Sequence, residues 1–388
     1  MQNNRARSAK VDMNTQAKNT IAVLSPFLNP VGVKRATFGL AKEFSKNNYS
    51  VDMLSVHKEW EDLDFSKNMR LTYLSTNFKK LPTTGFFIFR IVSFLIAIRT
   101  IFTISNYIKK NKPQILFVSM MPVVAWLGLK LSGQSSSTKL VVSVQGFPIN
   151  NLFRRLLWRK VFKDSEDVIA ESESLKDKII DMTGLNKNLS YIYNPHFENQ
   201  NDFEEKSNFI EKDYDYILGL GRLTKQKNFR LLINAFSNLK NINNLHLLII
   251  GDGEEKVMLE QLSDRLNLSS KIKFLGEINN PLGYIKNAKI LVIPSLWEGL
   301  PRVAVEAQAL KTPIISSCEE GGLGEILMNG SAGQITSIND PMDMKSAIEK
   351  YLKDENFAKE HVDLAFDNLM RFSLTSSSKK YLDMFSRY

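Results

Sequence analysis

The sequence predicts an α/β protein made of two domains, each a parallel sheet with helices on both faces. Three observations predict it. The first half alternates short, β-rich apolar runs with helical patterns. The second half repeats the alternation. Between them Phe197 to Tyr214 is charged and polar, with no clear strand. A chain of 388 residues is long enough for two separate cores. The expected division is a disordered tail (1–20), a first Rossmann-like domain (21–197), a hinge (198–214), a second Rossmann-like domain (215–373) and a terminal segment (374–388). The two domains are expected to face each other across a cleft.

Strands are predicted in the first half at Ile21 to Ser25, Val51 to Val56, Ile115 to Ser119, Leu140 to Val144, Val168 to Ala170 and Leu189 to Tyr193. A parallel sheet is covered on both faces, so its strands read as continuous apolar runs. Phe86 to Ile108 is apolar and helical, but Arg90 and Arg99 fall on opposite faces. Its uninterrupted apolar run falls short of the ~20 residues that span a bilayer. It reads as an interfacial or core helix whose arginines snorkel. In the second half strands are predicted at Tyr216 to Gly221, His246 to Gly251, Ile272 to Leu275, Lys289 to Pro294 and Pro313 to Ser317.

The charge is unevenly placed. The formal net charge is +10, and Phe65 through Lys163 contains no Asp or Glu. A one-sided basic surface implies an anionic partner. Within Asn151 to Lys163, wound as a helix, Phe153, Leu157, Trp158, Val161 and Phe162 share one face. Arg155, Arg159, Lys160 and Lys163 share the other, and Arg154 breaks the apolar side. That is the pattern of a helix lying on an anionic membrane surface through Arg155, Trp158, Arg159, Lys160 and Lys163. The alternative is an ordinary helix packed on a sheet. No zinc pattern or RNA-binding signature is present, so nucleic acid is not an expected partner. His57, His196, His246 and His361 match no metal spacing, and no clustered Asp-x-Asp loop offers a divalent-ion site. The single cysteine, Cys318, excludes an intrachain disulfide and fits a reducing compartment. The N-terminus is polar and basic with no apolar core of a secretory signal.

Two segments carry candidate chemistry. In the first, a strand ending at Pro294 is followed by Ser295-Leu296-Trp297-Glu298-Gly299-Leu300-Pro301-Arg302 and a helical pattern through Val303, Ala304, Ala307 and Leu310. Gly299 permits a sharp turn, and Pro301 suits the first helical position. A strand, tight loop and helix N-terminus make a place for an anion or phosphate. Glu298 in the loop and Glu306 in the helix are candidates to accept hydrogen bonds from sugar hydroxyls. The plainer reading is a capping residue and a solvated one. In the second segment, Gly221-Arg222 ends a strand and Lys227 precedes the helical run from Phe229 to Leu239. Arg222 as a fork and Lys227 as a point charge suit a pyrophosphate. The plainer reading is two exposed cations.

GLGRLTKQKNF, LLIIGDGEE, IKFLGEI and PSLWEGLPRVAVEAQALKTPIISS, in that order, resemble the C-terminal domain of the family 4 retaining glycosyltransferases, which have the GT-B fold. The first half resembles the family more loosely. The likeness implies transfer of a sugar from a nucleoside-diphosphate donor, UDP-linked, to a lipid-linked or polysaccharide acceptor in bacterial surface-glycan synthesis. It implies a cytoplasmic enzyme at the inner face of the plasma membrane, with no cofactor and no metal. Arg222, Lys227 and Glu298 would be catalytic, and Glu306 would hold the ribose hydroxyls. Leu275 to Ile278 would border the base, the amides near Gly299, Leu300 and Arg302 would face the phosphates, and Gly221 would be among the donor-binding residues. The last helix would pack back on the first domain. Two departures stand out. The loop Pro30-Val31-Gly32-Val33-Lys34-Arg35 offers only Gly32 where relatives often have paired glycines. Gln145 stands where relatives often place a His. Gln145 can bond a hydroxyl but cannot titrate. The rival readings are an epimerase or phosphorylase on the same fold, and a non-catalytic glycan- or membrane-binding scaffold.

Overall fold

A computed structural model describes residues 19–26, 31–56, 58–74, 86–146, 151–207, 213–240, 244–318 and 321–388, with no side-chain detail for 31 and 86–91. The tail expected over 1–20, except its last two residues, lies outside them, as do Pro30 and His57. The chain forms two compact units. Of the described residues, the first holds those within 19–26, 41–140 and 388, and the second those within 31–40 and 141–387.

The elements run β1 (Thr20–Leu24), α1 (Val31–Lys46), β2 (Ser50–Ser55), β3 (Met69–Tyr73), α2 (Phe86–Asn111), β4 (Ile115–Val118), α3 (Pro122–Ser132) and β5 (Lys139–Val144). Then come α4 (Leu152–Lys163), β6 (Asp167–Ala170), α5 (Glu173–Thr183), β7 (Leu189–Tyr191) and α6 (Asn201–Lys206). The second sheet and its helices follow: β8 (Asp215–Leu220), α7 (Phe229–Ser237), β9 (Leu245–Ile250), α8 (Lys256–Arg265), β10 (Ile272–Gly276), α9 (Leu282–Lys286) and β11 (Ile290–Ile293). The chain ends with α10 (Arg302–Ala309), β12 (Ile314–Ser316), α11 (Gly322–Ile326), β13 (Gln334–Ile335), α12 (Pro341–Lys353), α13 (Glu355–Asp367) and α14 (Leu374–Phe385). The sheets have seven and six strands, in the orders β3-β2-β1-β4-β5-β6-β7 and β10-β9-β8-β11-β12-β13. The predicted two parallel-sheet α/β architecture is what the chain adopts.

Period-two alternation builds the second sheet's two faces. Tyr216, Leu218, Leu291 and Ile293 enter one apolar cluster with α9, α10 and α11. Ile217, Ile290 and Val292 enter the other with α7, α8 and α12. Successive side chains of a strand point to opposite faces, so a strand covered on both must be apolar throughout. Polar caps set several helix starts. Ser172 Oγ accepts from Leu175 N at 3.1 Å, and Asp340 Oδ1 accepts from Met342 N at 2.8 Å.

In the first unit, α2 buries Val92, Ile96, Thr100, Ile104 and Ile108, one residue every turn. Its outward side exposes Phe94, Leu95, Ile98 and Phe102 beside Arg99. By length and composition Val92–Asn111 is able to cross a bilayer, but the buried stripe makes it a core helix on one side.

Several expectations are corrected. β3 was not foreseen: it is a strand at the sheet's edge, and its Arg70 bonds the buried Asp52 of β2, so its pattern is not continuously apolar. The two-residue β13 was too short to signal itself. The loop expected to run to Arg35 is helical from Val31, because Ala36, Phe38, Leu40 and Phe44 give α1 a buried face. The polar stretch from Phe197 to Tyr214 holds α6, anchored by buried Phe203 against Phe197. Pro301 precedes α10 in extended conformation, and Arg302 is the first helical residue.

Candidate active site

The candidate residues gather at carboxyl ends of strands in the second unit. β8 ends at Leu220, and Gly221 follows with φ 155°; Arg222 comes next, exposed and without an ion pair among the described residues. A short 3-10 turn, Lys225–Lys227, then leads into α7. This turn is fastened to the loop after β11. Leu296 N donates to Gln226 O at 2.8 Å, and Gln226 Nε2 donates to Trp297 O at 3.0 Å. The fastening brings Lys227 Nζ to 2.5 Å from Glu298 Oε1, which also accepts from Ser295 Oγ at 2.6 Å. The pair is well covered, with side-chain exposures of 18% and 7%.

Glycines let these loops approach. Gly251, at φ 137°, has no room for a Cβ, which would stand 2.0 Å from Gly221 O. A Cβ on Gly253 would stand 2.4 Å from Leu223 O. The β9–α8 loop therefore backs directly onto the Gly221–Leu223 segment that carries Arg222. Gly322 likewise touches Gly299 O and Leu300, so α11 supports the turn before α10.

Glu306 lies on the inner side of α10, buried, with Arg302 Nε donating to its Oε1 at 2.6 Å. Burial pushes its carboxyl up, while Arg302 and the charge of Arg35 on α1 pull it down. His196 feels the same Arg302; burial and that cation push it down to about 4, so it is neutral at pH 7. Leu275 and Ile278 are half-buried on the cluster that also holds Leu300 and Val303. Gly32 is exposed in the first turn of α1, with open space where a Cβ would stand.

Gln145 does not stand alone at the end of β5. It exchanges hydrogen bonds with Asn194, which follows β7, and its Nε2 donates to Ser143 Oγ at 2.8 Å. Asn194 Nδ2 donates to Glu171 Oε2 at 2.8 Å, and Gly146 N donates to Glu171 Oε1 at 2.8 Å. Glu171 went unnoticed in the sequence, although its position directly after a buried strand was the available signal. Glu325 was also missed. Its carboxylate accepts from the first amides of α5, Glu173 N at 3.0 Å and Ser174 N at 2.7 Å. Tyr381 of α14 donates to Ser143 Oγ at 3.2 Å, and Ser377 Oγ donates to Tyr193 O at 2.7 Å.

The expected membrane helix divides differently from its pattern. Leu152, Phe153 and Leu156 are exposed at 72%, 76% and 61%. Val161 and Phe162 are buried, and Trp158 packs edge-on against Phe162 with ring centroids 5.1 Å apart. Arg155 Nε donates to Met182 O at 3.0 Å; Arg159, Lys160 and Lys163 are exposed.

Two cations, buried carboxylates and a helix N-terminus thus lie by the carboxyl ends of parallel strands, where α/β sheets commonly bind ligands. The sequence pattern of the family described as Glycosyl transferases group 1 matches residues 200–365, and that of Glycosyltransferase Family 4 matches residues 30–196. The chain belongs to these family 4 glycosyltransferases. It is 26% identical over 380 residues, 94% of this chain and 97% of the other, to a Campylobacter jejuni enzyme. That enzyme is named GalNAc-alpha-(1->4)-GalNAc-alpha-(1->3)-diNAcBac-PP-undecaprenol alpha-1,4-N-acetyl-D-galactosaminyltransferase. Among solved structures, a glycosyltransferase from Rickettsia africae superposes with TM-score 0.77 at 19% identity, covering 95% of this chain and 98% of that one. Anabaena HepE, solved with UDP, superposes with TM-score 0.70 at 15% identity, covering 95% and 100%. The matches to three other curated relatives span 61%, 53% and 64% of their own lengths.

Proposed function

We propose that the chain is a retaining glycosyltransferase that moves a hexose-type sugar from a UDP-linked donor to a lipid-linked or polysaccharide acceptor in bacterial surface-glycan synthesis. The observation that carries the reading is the covered Lys227–Glu298 pair beside Arg222 and the start of α10. The names of relatives support the context. They include the undecaprenol-linked transferase above and a capsular polysaccharide glycosyltransferase of Staphylococcus aureus. The UDP bound to HepE supports the nucleotide.

In the reaction, the bond between the anomeric carbon and the diphosphate oxygen breaks, and its electron pair leaves with the diphosphate. The acceptor hydroxyl oxygen bonds to the anomeric carbon on the same face, and its proton passes to an oxygen of the leaving diphosphate. Arg222 and Lys227 stabilise the charge that grows on the phosphates, assisted by amides at the start of α10. Those fixed charges do the work that a divalent ion does in other enzymes, so transfer is expected to survive chelation. Glu298 accepts hydrogen bonds from the donor sugar, and Glu306, oriented by Arg302, accepts them from the ribose. Leu275 and Ile278 border the base, and Gly32 and Gln145 line the donor side.

The protein works at the cytoplasmic face of an anionic membrane. The outward turn of α4, with Leu152, Phe153 and Leu156 ringed by Arg154, Arg155, Arg159, Lys160 and Lys163, is the contact surface. The test is a donor screen that follows release of UDP, GDP and ADP from their sugar conjugates, with bacterial lipid extract as acceptor and with EDTA added in a parallel series. Acceptor-dependent UDP release that resists EDTA is the expected result. Epimer or free sugar formed without an acceptor identifies an epimerase. UDP binding without any turnover identifies a scaffold.

A further inference from the structure

Glu171 is a carboxylate that this mechanism leaves unused. It follows β6, is half-buried, and is held at both oxygens by neutral donors, Gly146 N and Asn194 Nδ2. Asn194 is fixed in turn by Gln145, Gln145 by Ser143, and Ser143 by Tyr381. Three strand ends and the last helix thus hold one carboxylate in place. Its Oε1 lies 3.1 Å from where a Cβ on Gly299 would stand. Gly299 directly follows Glu298, so the oxygen faces the turn that carries the proposed sugar-binding residue, across a residue with no side chain. One donor to each oxygen leaves a carboxylate with further acceptor capacity.

We propose that Glu171 is a substrate-binding carboxylate of this site, accepting a hydrogen bond from a hydroxyl of a sugar held against the Gly299 turn. The inference rests on the glycosyltransferase reading. Burial raises the Glu171 carboxyl to about 7, against the pull of its two donors. Around it, Tyr381 is kept neutral by burial, and Glu298 and Lys227 beyond Gly299 neutralise each other. The accepting form is the carboxylate, so binding through Glu171 strengthens as pH rises through 7.

The test compares wild type with Glu171→Gln in steady-state transfer from pH 5.5 to 9, varying donor and acceptor separately, with UDP affinity measured by calorimetry. Wild-type kcat/KM is expected to rise through an ionisation near 7. The variant should lose that ionisation and fall by about 10–100-fold, the effect of one hydrogen bond to a charged group. UDP affinity should hold, because UDP carries no transferred sugar. A higher donor KM places the contact on the donor sugar, and a higher acceptor KM places it on the acceptor sugar; either supports the inference. An unchanged pH profile with kcat/KM within about twofold of wild type overturns it. If Glu171→Gln does not fold, Glu171→Asp substitutes: it should keep the ionisation with reduced kcat/KM, and wild-type rates overturn the inference. A wild-type chain that turns over no nucleotide sugar defeats the functional reading itself, and this inference with it.

Discussion

Lys227 Nζ stands 2.5 Å from Glu298 Oε1, so the best-covered cation of the candidate site is already engaged by the carboxylate assigned to the sugar. Neither is spare. Glu298→Gln keeps the shape but releases Lys227 from its counter-charge. UDP should bind as tightly as before or more tightly, while kcat falls by about 100- to 1000-fold. A wild-type kcat would remove Glu298 from the chemistry.

Lys227→Ala has a structural consequence as well. It leaves Glu298 with Ser295 as its one remaining side-chain partner among the described residues. Losing one partner of a buried pair destabilises by roughly 3–5 kcal/mol, and the remaining hydroxyl bond moves the expectation to the lower end. Urea unfolding with the midpoint and slope both fitted reads this directly.

Glu306→Ala should weaken UDP binding by about tenfold or more, or ~1.4 kcal/mol, with little effect on kcat at saturating donor. The carboxylate sits on α10, where Arg302 orients it. Equal calorimetric affinities of variant and wild type would reject the ribose assignment.

The glycines separate close approach from simple turn geometry. Gly251→Ala adds a Cβ 2.0 Å from Gly221 O at φ 137°. It should destabilise by about 3 kcal/mol or more and displace Arg222. Gly276→Ala, at φ 69° with open space, should lose only about 1 kcal/mol. Similar denaturation midpoints for the two would contradict the close packing of the loops.

Two groups shape the pH dependence of stability in opposite directions. His196, pushed down to about 4 by burial, contributes stability that is present above its ordinary value of 6.5 and lost as pH falls toward 4. Glu171, raised to about 7, contributes stability that is present below 4.5 and lost as pH rises through 7. His196→Gln should flatten the acid limb of a melting-temperature profile, and Glu171→Gln should raise the alkaline one. Each effect is about 1–3 kcal/mol, reduced for partial solvent contact. Unshifted limbs would mean that neither group is as desolvated as its surroundings imply.

On α4, replacing Leu152, Phe153 and Leu156 by Ser should abolish co-sedimentation with anionic vesicles without lowering the melting temperature, because all three are exposed. Neutralising Arg155, Arg159, Lys160 and Lys163 should weaken sedimentation in a salt-dependent way. Vesicle binding unaffected by both sets would assign the face to another role.

The architecture was readable because a sheet buried on both faces leaves a local mark: Ile290–Ile293 and Ile115–Val118 are apolar at every position, and Leu245–Ile250 is so at all but His246. The glycosyltransferase family was readable as a resemblance, carried by segments such as GLGRLTKQKNF and PSLWEGLPRVAVEAQALKTPIISS. What escaped was marked by nothing local. β3 is an edge strand stabilised by Arg70 reaching Asp52, a partner on another strand. The amphipathic pattern of α4 was clear, but Val161 and Phe162 were drawn inward while Leu152, Phe153 and Leu156 were left outside.

Composition and periodicity, being properties of neighbours along the chain, determined every strand but β3 and β13, the glycine turns and the candidate charges. Only the tertiary structure decided that Lys227 would close on Glu298, 71 residues away, and that Glu171 would face Gly299. Hydrogen bonds and ion pairs of this kind act over a few ångströms of space. They exist only once the backbone has brought separate strand ends together.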